Sequence, residues 1–307
     1  MTAPVLHHVV CPGPAAASGA ASGHRMAYWQ WGDTGNPHVV VCVHGLSRQG
    51  RDFDALARAL APQVRVVCPD VVGRGRSDWL ADPAGYQIPV YAADMLAMLA
   101  QLHAQAPIAR LDWVGTSMGG LIGMVVAGQP GLPLPVPLRK LVLNDVGPVV
   151  QWEALQRIGT YLGKSGSFAS LEQAAAAMWA VSTGFGPHSP EQWLDLSRHM
   201  VRPAVTGEPD GALVLHYDPR IADPFRAVTQ QAAEQGEAML WQLYDQIQAD
   251  TLLLRGVQSD LLARATAEQM VQRGPRARLV EFAGVGHAPT LVADDQRQAV
   301  LQFLRDS

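Results

Sequence analysis

The 307-residue chain reads as an α/β protein: a mostly parallel central sheet with helices on both faces, interrupted by an inserted, mainly helical segment. Three observations predict this. Short β-branched runs alternate with segments of helical periodicity towards both ends of the chain. Those runs are apolar throughout rather than every second residue, as in strands buried on both faces. About a hundred residues also separate the run LRKLVL at 138–143 from TLLLR at 251–255, where a single crossover needs roughly a dozen.

Taken in order, residues 25–32 (RMAYWQWG) alternate as a strand and lead into the turn cluster GDTGNP. Residues 38–43 (HVVVCV) form a buried strand that ends in His44-Gly45-Leu46. Phe53, Leu56, Ala57 and Leu60 give 52–60 helical spacing. A strand at 64–67 follows, closed by Cys68-Pro69-Asp70 and the loop GRGRSDW. Residues 91–105 have a long helix pattern, and 111–114 are a strand. The strand 138–143 exits through Asn144-Asp145-Val146-Gly147-Pro148. Beyond 251–255 come a helix at 265–273, a strand at 277–282, the loop AGVGHAPT and a last helix at 294–304. The predicted organisation is an N-terminal extension at 1–24, a core at 25–147 and 236–307, and a cap subdomain at 148–235. The cap carries helix-like segments at 152–163, 171–183 and 191–201 and a hairpin around Pro209-Asp210-Gly211 and 213–217. Residues 237–247 then read as the helix returning to the sheet.

Composition narrows the function classes. A net charge of −4 with 16% charged residues favours neither nucleic acid nor an anionic membrane as partner. No apolar run approaches the length of a membrane span. MTAPVLHHVV lacks the basic head of a signal peptide, and PGPAAASGAASG after it reads as a low-complexity loop. Cys42 and Cys68 sit in apolar runs and, with Cys11, make an odd total of three, which suits buried hydrophobes in a reduced cytoplasm rather than disulfides. His7, His8, His24, His38, His103, His188, His199 and His216 lack metal-ligand spacing, so neither metal nor cofactor is expected.

The chemistry centres on LDWVGTSMGGLIG at 111–123. Here G-x-S-x-G lies between a strand and a helix, a nucleophile elbow that holds the serine in a strained conformation with its hydroxyl clear of the sheet. With 29 glycines in the chain, chance placement yields such a pattern roughly 0.1 times per chain, so the surroundings must decide. Open parallel sheets carry their sites beyond the carboxyl ends of the strands. Four strands end there in His44-Gly45-Leu46, Ser117, Asp260 and His287. A serine hydroxyl needs a base, and His287 sits in a glycine-rich loop as the only histidine after Asp260. The imidazole needs a carboxylate. Asp260 precedes His287 by 27 positions, room for one helix–strand unit, and is the expected acid. Helix N-cap is its bland role, and Asp145 is the rival carboxylate. His44 is read as a brace for its loop. Arg48 is read as a surface charge beside Asp52, with an anchor for a substrate carboxylate as the alternative.

The segments HGL at 44–46, DVVGRGRSDW at 70–79, GTSMGG at 115–120, RGVQSD at 255–260 and GVGHAP at 284–289 together resemble the α/β-hydrolase-fold serine hydrolases of the capped esterase and lipase-like kind. The resemblance runs from about residue 25 to 304 and is weak across the insert. It implies an acyl-enzyme on Ser117, His287 as base and then acid, and an oxyanion hole from the N–H groups of Leu46 and Met118. Relatives that cleave carbon–halogen bonds or epoxides carry Asp where this chain has Ser117. The implied substrate is a small or medium carboxylic ester, extending to hydroxyacid esters or oligoesters. Carbon–carbon hydrolysis of a ring-cleavage product is the alternative, then a non-catalytic ligand-binding role. Tyr161, Leu162, Phe168, Met178, Trp193 and Met200 make the insert rich in aromatics and methionine. Most are expected to pack the subdomain and a few to wall an acyl pocket.

Overall fold

The computed structural model describes residues 3–13, 23–164, 166–205 and 211–306. The chain opens with strands β1 (Val5–Cys11), β2 (His24–Trp31) and β3 (His38–Val43), then α1 (Asp54–Leu60) and β4 (Arg65–Asp70). Next come α2 (Ile88–Gln105), β5 (Arg110–Thr116), α3 (Met118–Gly128) and β6 (Leu138–Asn144). The insert holds α4 (Trp152–Tyr161), β7 (Ser167–Phe168), α5 (Leu171–Val181), α6 (Pro190–Arg198), β8 (Val201–Pro203), β9 (Leu213–Leu215) and α7 (Ala222–Ala227). Helix α8 (Gln230–Gln246) leads back to β10 (Asp250–Gly256), α9 (Arg264–Gln272), β11 (Arg278–Phe282) and α10 (Asp294–Arg305).

Eight strands form one sheet in the order β1-β2-β4-β3-β5-β6-β10-β11. Pairs from β4–β3 to β10–β11 are parallel, and only β1–β2 and β2–β4 run antiparallel. The valine run in β3 explains the double covering. Val39, Val41 and Val43 enter one apolar cluster with residues of α2, α3, α8 and α9. Val40 and Cys42 enter the other, with residues of α1 and α10. An alternation of period two puts every side chain of such a strand into one core or the other, so no polar position is needed. All three cysteines are buried and free. Among the described residues, no helix is long and apolar enough to cross a membrane.

Two boundaries differ from expectation. Residues 5–11, assigned to an N-terminal extension, pair with β2 from Val5↔Gln30 to Cys11↔His24 and form the edge strand of the main sheet. The run VLHHVVC lacked a clear polar alternation because an edge strand buries only part of one face; Val5 and Val10 are exposed. Helix α8 also starts earlier than predicted, where Thr229 accepts a hydrogen bond from the Ala232 N–H as its N-cap. Residues 14–22 of the low-complexity stretch lie outside the described residues, as do Pro209 and Asp210 of the expected hairpin; the segments on either side of the latter pair as β8 and β9.

The insert has its own start signals and its own core. Ser189 and Gln192 form a capping box with Pro190 in the first turn of α6, and Ser170 caps α5. Ala174, Ala175, Met178, Trp193, Leu196 and Met200 are buried against one another. The Trp193 indole N–H donates to the Ala175 carbonyl at 2.7 Å, joining α6 to α5.

Close approach of α3 to the sheet is set by glycine. A Cβ on Gly119 would stand 2.0 Å from the Val43 carbonyl oxygen. Gly119→Ala should therefore cost about 3 kcal/mol, read as a lowered urea midpoint. A midpoint equal to the parent's would show that the β3–α3 contact yields freely.

Candidate active site

The site begins with two strand ends in register. Thr116 of β5 lies opposite Asn144 of β6. The next residue on each strand, Ser117 and Asp145, therefore leaves the sheet beside the other. Both have left-handed backbones, with φ of 52° and 57°. Such strain is tolerated where surrounding contacts over-determine it. Here the Ser117 N–H donates to the Asn144 carbonyl at 3.0 Å and the Asp145 N–H to the Leu254 carbonyl at 2.8 Å.

His287, on the loop between β11 and α10, bridges the two. Its Nδ1 is 2.7 Å from Asp145 Oδ2 and its Nε2 is 2.9 Å from Ser117 Oγ. A carboxylate can only accept, so Nδ1 carries the proton and Nε2 is left to accept from the serine hydroxyl. Asp145 is fully buried. Its Oδ1 accepts from the Gly256 N–H at 2.8 Å, and its Oδ2 also accepts from the Ser259 hydroxyl at 2.6 Å. A buried charge is tolerable when it is this fully hydrogen-bonded.

Asp260, the expected partner of His287, is elsewhere. Its carboxylate accepts from Arg157 Nε of α4 at 2.7 Å, and its side chain is 48% exposed. Asp260 stands four residues beyond the end of β10, whereas Asp145 follows directly from β6 beside the serine. Nor does Asp260 cap the next turn. The Ser259 hydroxyl does so, accepting from the N–H groups of Leu261 and Leu262 at 3.3 and 3.1 Å. The sequence clue to Asp145 was its place in N-D-V-G-P directly after a strand.

The loop after β3 is held rigidly behind the serine. His44 Nδ1–H donates to the Gly45 carbonyl at 2.7 Å, and Nε2 accepts from the Val71 N–H at 2.9 Å. Both nitrogens are committed, as expected of a brace. Arg74 was not singled out from sequence. It is fully buried and donates to the Leu46 carbonyl at 2.8 Å, the Tyr91 hydroxyl at 3.0 Å and the Val72 carbonyl at 2.6 Å. It also reaches Met118 Sδ at 3.7 Å, and so contacts both residues whose N–H groups were expected to receive an oxyanion. Met118 is the first residue of α3, so its N–H has no carbonyl four back within the helix. Its signal in sequence was an arginine inside an otherwise glycine-rich, apolar-flanked loop.

Above Ser117 and His287 lies a cavity of about 260 Å³. Gly45, Leu46 and Ala288 contribute from the sheet side, and Ile158, Phe168, Met178 and Met200 from the insert. The insert is bonded to the site's own loops. The Gly286 N–H donates to the Gly184 carbonyl at 2.6 Å, and His188 Nε2 lies 2.8 Å from Thr290 Oγ1. Arg48 is engaged in the same junction. It grips Asp52 through two bonds of 2.6 and 2.7 Å and donates to the Leu196 carbonyl at 3.0 Å.

Residues 40–303 match the model of the alpha/beta hydrolase family. The chain belongs to that family. This hydrolase is 48% identical over 300 residues to a 3-hydroxybutyrate-oligomer hydrolase of Cupriavidus necator, covering 98% of this chain and 97% of the relative. An alpha/beta hydrolase structure from Novosphingobium aromaticivorans is 34% identical, with a TM-score of 0.79 over 97% of this chain and 98% of that one. A solved structure from Rickettsia typhi superposes with a TM-score of 0.83 at 27% identity, over 99% of both chains.

Among the described residues, one cluster outside the site has metal-capable side chains: buried Cys11, His24 and Asp94. His24 Nε2 is 2.9 Å from Asp94 Oδ2. Burial and the neighbouring carboxylate push the Cys11 thiol up, away from the thiolate that a metal ligand must supply. The donor set suits a buried hydrogen-bonded group joining β1, β2 and α2.

Burial drives the His44 imidazole down to about 3. A folded value below the unfolded one means that protons bind preferentially to the unfolded chain between the two. The contribution is therefore complete above about 6.5 and is lost as pH falls towards 3. In a proton–nitrogen correlation spectrum at pH 5, His44 should keep the signature of a neutral Nδ1–H ring. An imidazolium pattern there would contradict the brace.

Proposed function

We propose that this hydrolase cleaves carboxylic esters through an acyl-enzyme on Ser117, and that its substrates are short oligoesters of 3-hydroxy acids. The observation that carries this is the line of hydrogen bonds from Ser117 through His287 to Asp145, set directly under the cavity. The near full-length similarity to a 3-hydroxybutyrate-oligomer hydrolase supports the substrate class.

The chemistry follows from the geometry. As Ser117 Oγ attacks the ester carbonyl, its proton passes to His287 Nε2, and Asp145 stabilises the resulting imidazolium without taking the proton. Oxygen charge develops against the N–H groups of Met118 and Leu46, each such donor being worth about 2.7–4 kcal/mol in the transition state. Collapse breaks the ester C–O bond, and His287 returns its proton to the departing alkoxide. Water then attacks the acyl-enzyme with His287 again as base, releasing the acid and restoring the serine hydroxyl. The insert acts as a cap whose apolar wall limits water around the acyl group. A volume of about 260 Å³ lies just under the ~300–1,000 Å³ usual for ligand pockets, which favours short acyl units.

Carbon–carbon hydrolysis of a ring-cleavage acid required Arg48 as the cationic anchor. Its engagement with Asp52 and Leu196 weighs against that role.

A fluorophosphonate should add one label to the protein, absent in Ser117→Ala, as read by intact mass. Asp145→Asn should lower kcat on a short-chain p-nitrophenyl ester by about 10⁴. Asp260→Asn should change it by less than about fivefold, because an exposed ion pair contributes little. The reverse ranking of the two variants would move the acid back to Asp260.

A further inference from the structure

The cavity is cationic in its lining. Arg48, Arg157 and Lys164 line it and, among the described residues, no Asp or Glu does. In a chain of net charge −4, this asymmetry is a local feature of the site and not of the molecule. Two of the three charges are already answered: Arg48 by Asp52 and Arg157 by Asp260. Among the described residues, Lys164 has no carboxylate within 4.0 Å, so one net positive charge remains at the cavity wall.

Its position is defined by the backbone. Lys164 follows α4, whose Ile158 and Tyr161 line the same cavity together with Leu162 just beyond the helix. The turn passes through Gly163 at φ +73°, where a Cβ would stand 2.5 Å from the Pro219 carbonyl oxygen. The Gly163 N–H donates to the Tyr217 hydroxyl at 3.2 Å and the Lys164 N–H to the Tyr161 carbonyl at 3.1 Å. Lys164 itself is exposed, as is Val181 of α5, whereas Ser117 in the lining of the same cavity is partly buried. Lys164 is thus carried on a clamped turn at the more exposed part of the cavity lining, and Ser117 lies in the less exposed part.

We propose that Lys164 is a carboxylate subsite, which takes the free acid end of an oligoester while an ester bond nearer the hydroxyl end lies over Ser117. The inference rests on the oligoester reading above and adds to it a direction of binding. A linear 3-hydroxy-acid oligomer has one charged end and one neutral hydroxyl end, so a single cation at the mouth suffices to orient it. The charge draws the acid end outward, and the apolar inner wall receives the acyl unit to be transferred. Each cleavage then leaves an acyl unit on Ser117 and releases the carboxylate-bearing fragment through the mouth.

The test uses the dimer 3-hydroxybutyryl-3-hydroxybutyrate and its methyl ester, equal in shape at the scissile bond and different in charge. For the parent, kcat/KM for the acid should exceed that for the methyl ester, and the difference should shrink as salt is raised. In Lys164→Gln the acid-to-ester ratio should fall about three- to fivefold, mainly through KM for the acid, and Lys164→Arg should restore most of it. An unchanged ratio in Lys164→Gln would overturn the subsite while leaving the esterase reading intact. Binding to Ser117→Ala protein, measured by calorimetry, separates the two claims. The acid dimer should bind about three- to fivefold more weakly when Lys164→Gln is added. Equal binding would also refute the subsite, whereas absence of Ser117-dependent turnover of either compound would refute the esterase reading.

Discussion

The contact on which the site depends is the hydrogen bond between His287 and Asp145. It fixes the ring's tautomer, and through the tautomer it leaves Nε2 free of a proton at the serine. The carboxylate, in turn, can be charged in a dry place because the end of β10 supplies it with two further donors, Gly256 and Ser259. Three elements of the sheet thereby cooperate in one charge. Strand β6 delivers the carboxylate, β10 solvates it, and the loop after β11 brings the imidazole to it. The parallel register between β5 and β6 makes this possible, because it puts Ser117 and Asp145, both with left-handed backbones, side by side at the same rim.

Around that contact, the protein pins one side by hydrogen bonds and covers the other with the insert. The loop after β3 is pinned by a neutral histidine with both nitrogens engaged and by a buried guanidinium that spans Leu46 and Met118. On the proposed reading, the N–H groups of Leu46 and Met118 held in this way need no reorganisation when charge develops on the substrate oxygen, which is the condition for electrostatic stabilisation to act on the transition state. The insert differs. It has a small apolar core of its own, packs Ala154, Ile158, Leu162 and Ile221 into the larger cluster of the sheet domain, and adds polar contacts such as the Asp218 N–H to the Gly73 carbonyl and the Gly286 N–H to the Gly184 carbonyl. Because the second of these lies next to His287, the insert shares in positioning the loop that carries the imidazole. The insert and the His287 loop are coupled through one stretch of backbone.

How much could be read in advance varied with how local the cause was. Ser117 was visible because its conformation demands glycines at fixed offsets, a constraint confined to five residues. His44 was assigned a bracing role from its neighbours in H-G-L, and its two hydrogen bonds accord with that. The strands and helices of the sheet domain followed from runs of valine and leucine and from spacings of three and four. The edge strand at 5–11 was missed because half-exposed strands carry weaker patterns. Arg48 offered two readings, and the carbonyl of Leu196, 148 positions away, is the partner that no local pattern announces.

The choice between Asp145 and Asp260 marks the boundary. The sequence by itself determined that a serine, a histidine and one of two aspartates stand at strand ends of a parallel sheet, because strand periodicity and turn chemistry are properties of short segments. Only the tertiary structure decided which aspartate, because the answer depends on strand order and register. Those two quantities place residue 145 beside residue 117 and turn residue 260 outward to Arg157. The same holds for the cavity, whose walls come from segments far apart in the chain, and where Lys164 stands out only once Arg48 has been matched with Asp52 and Arg157 with Asp260.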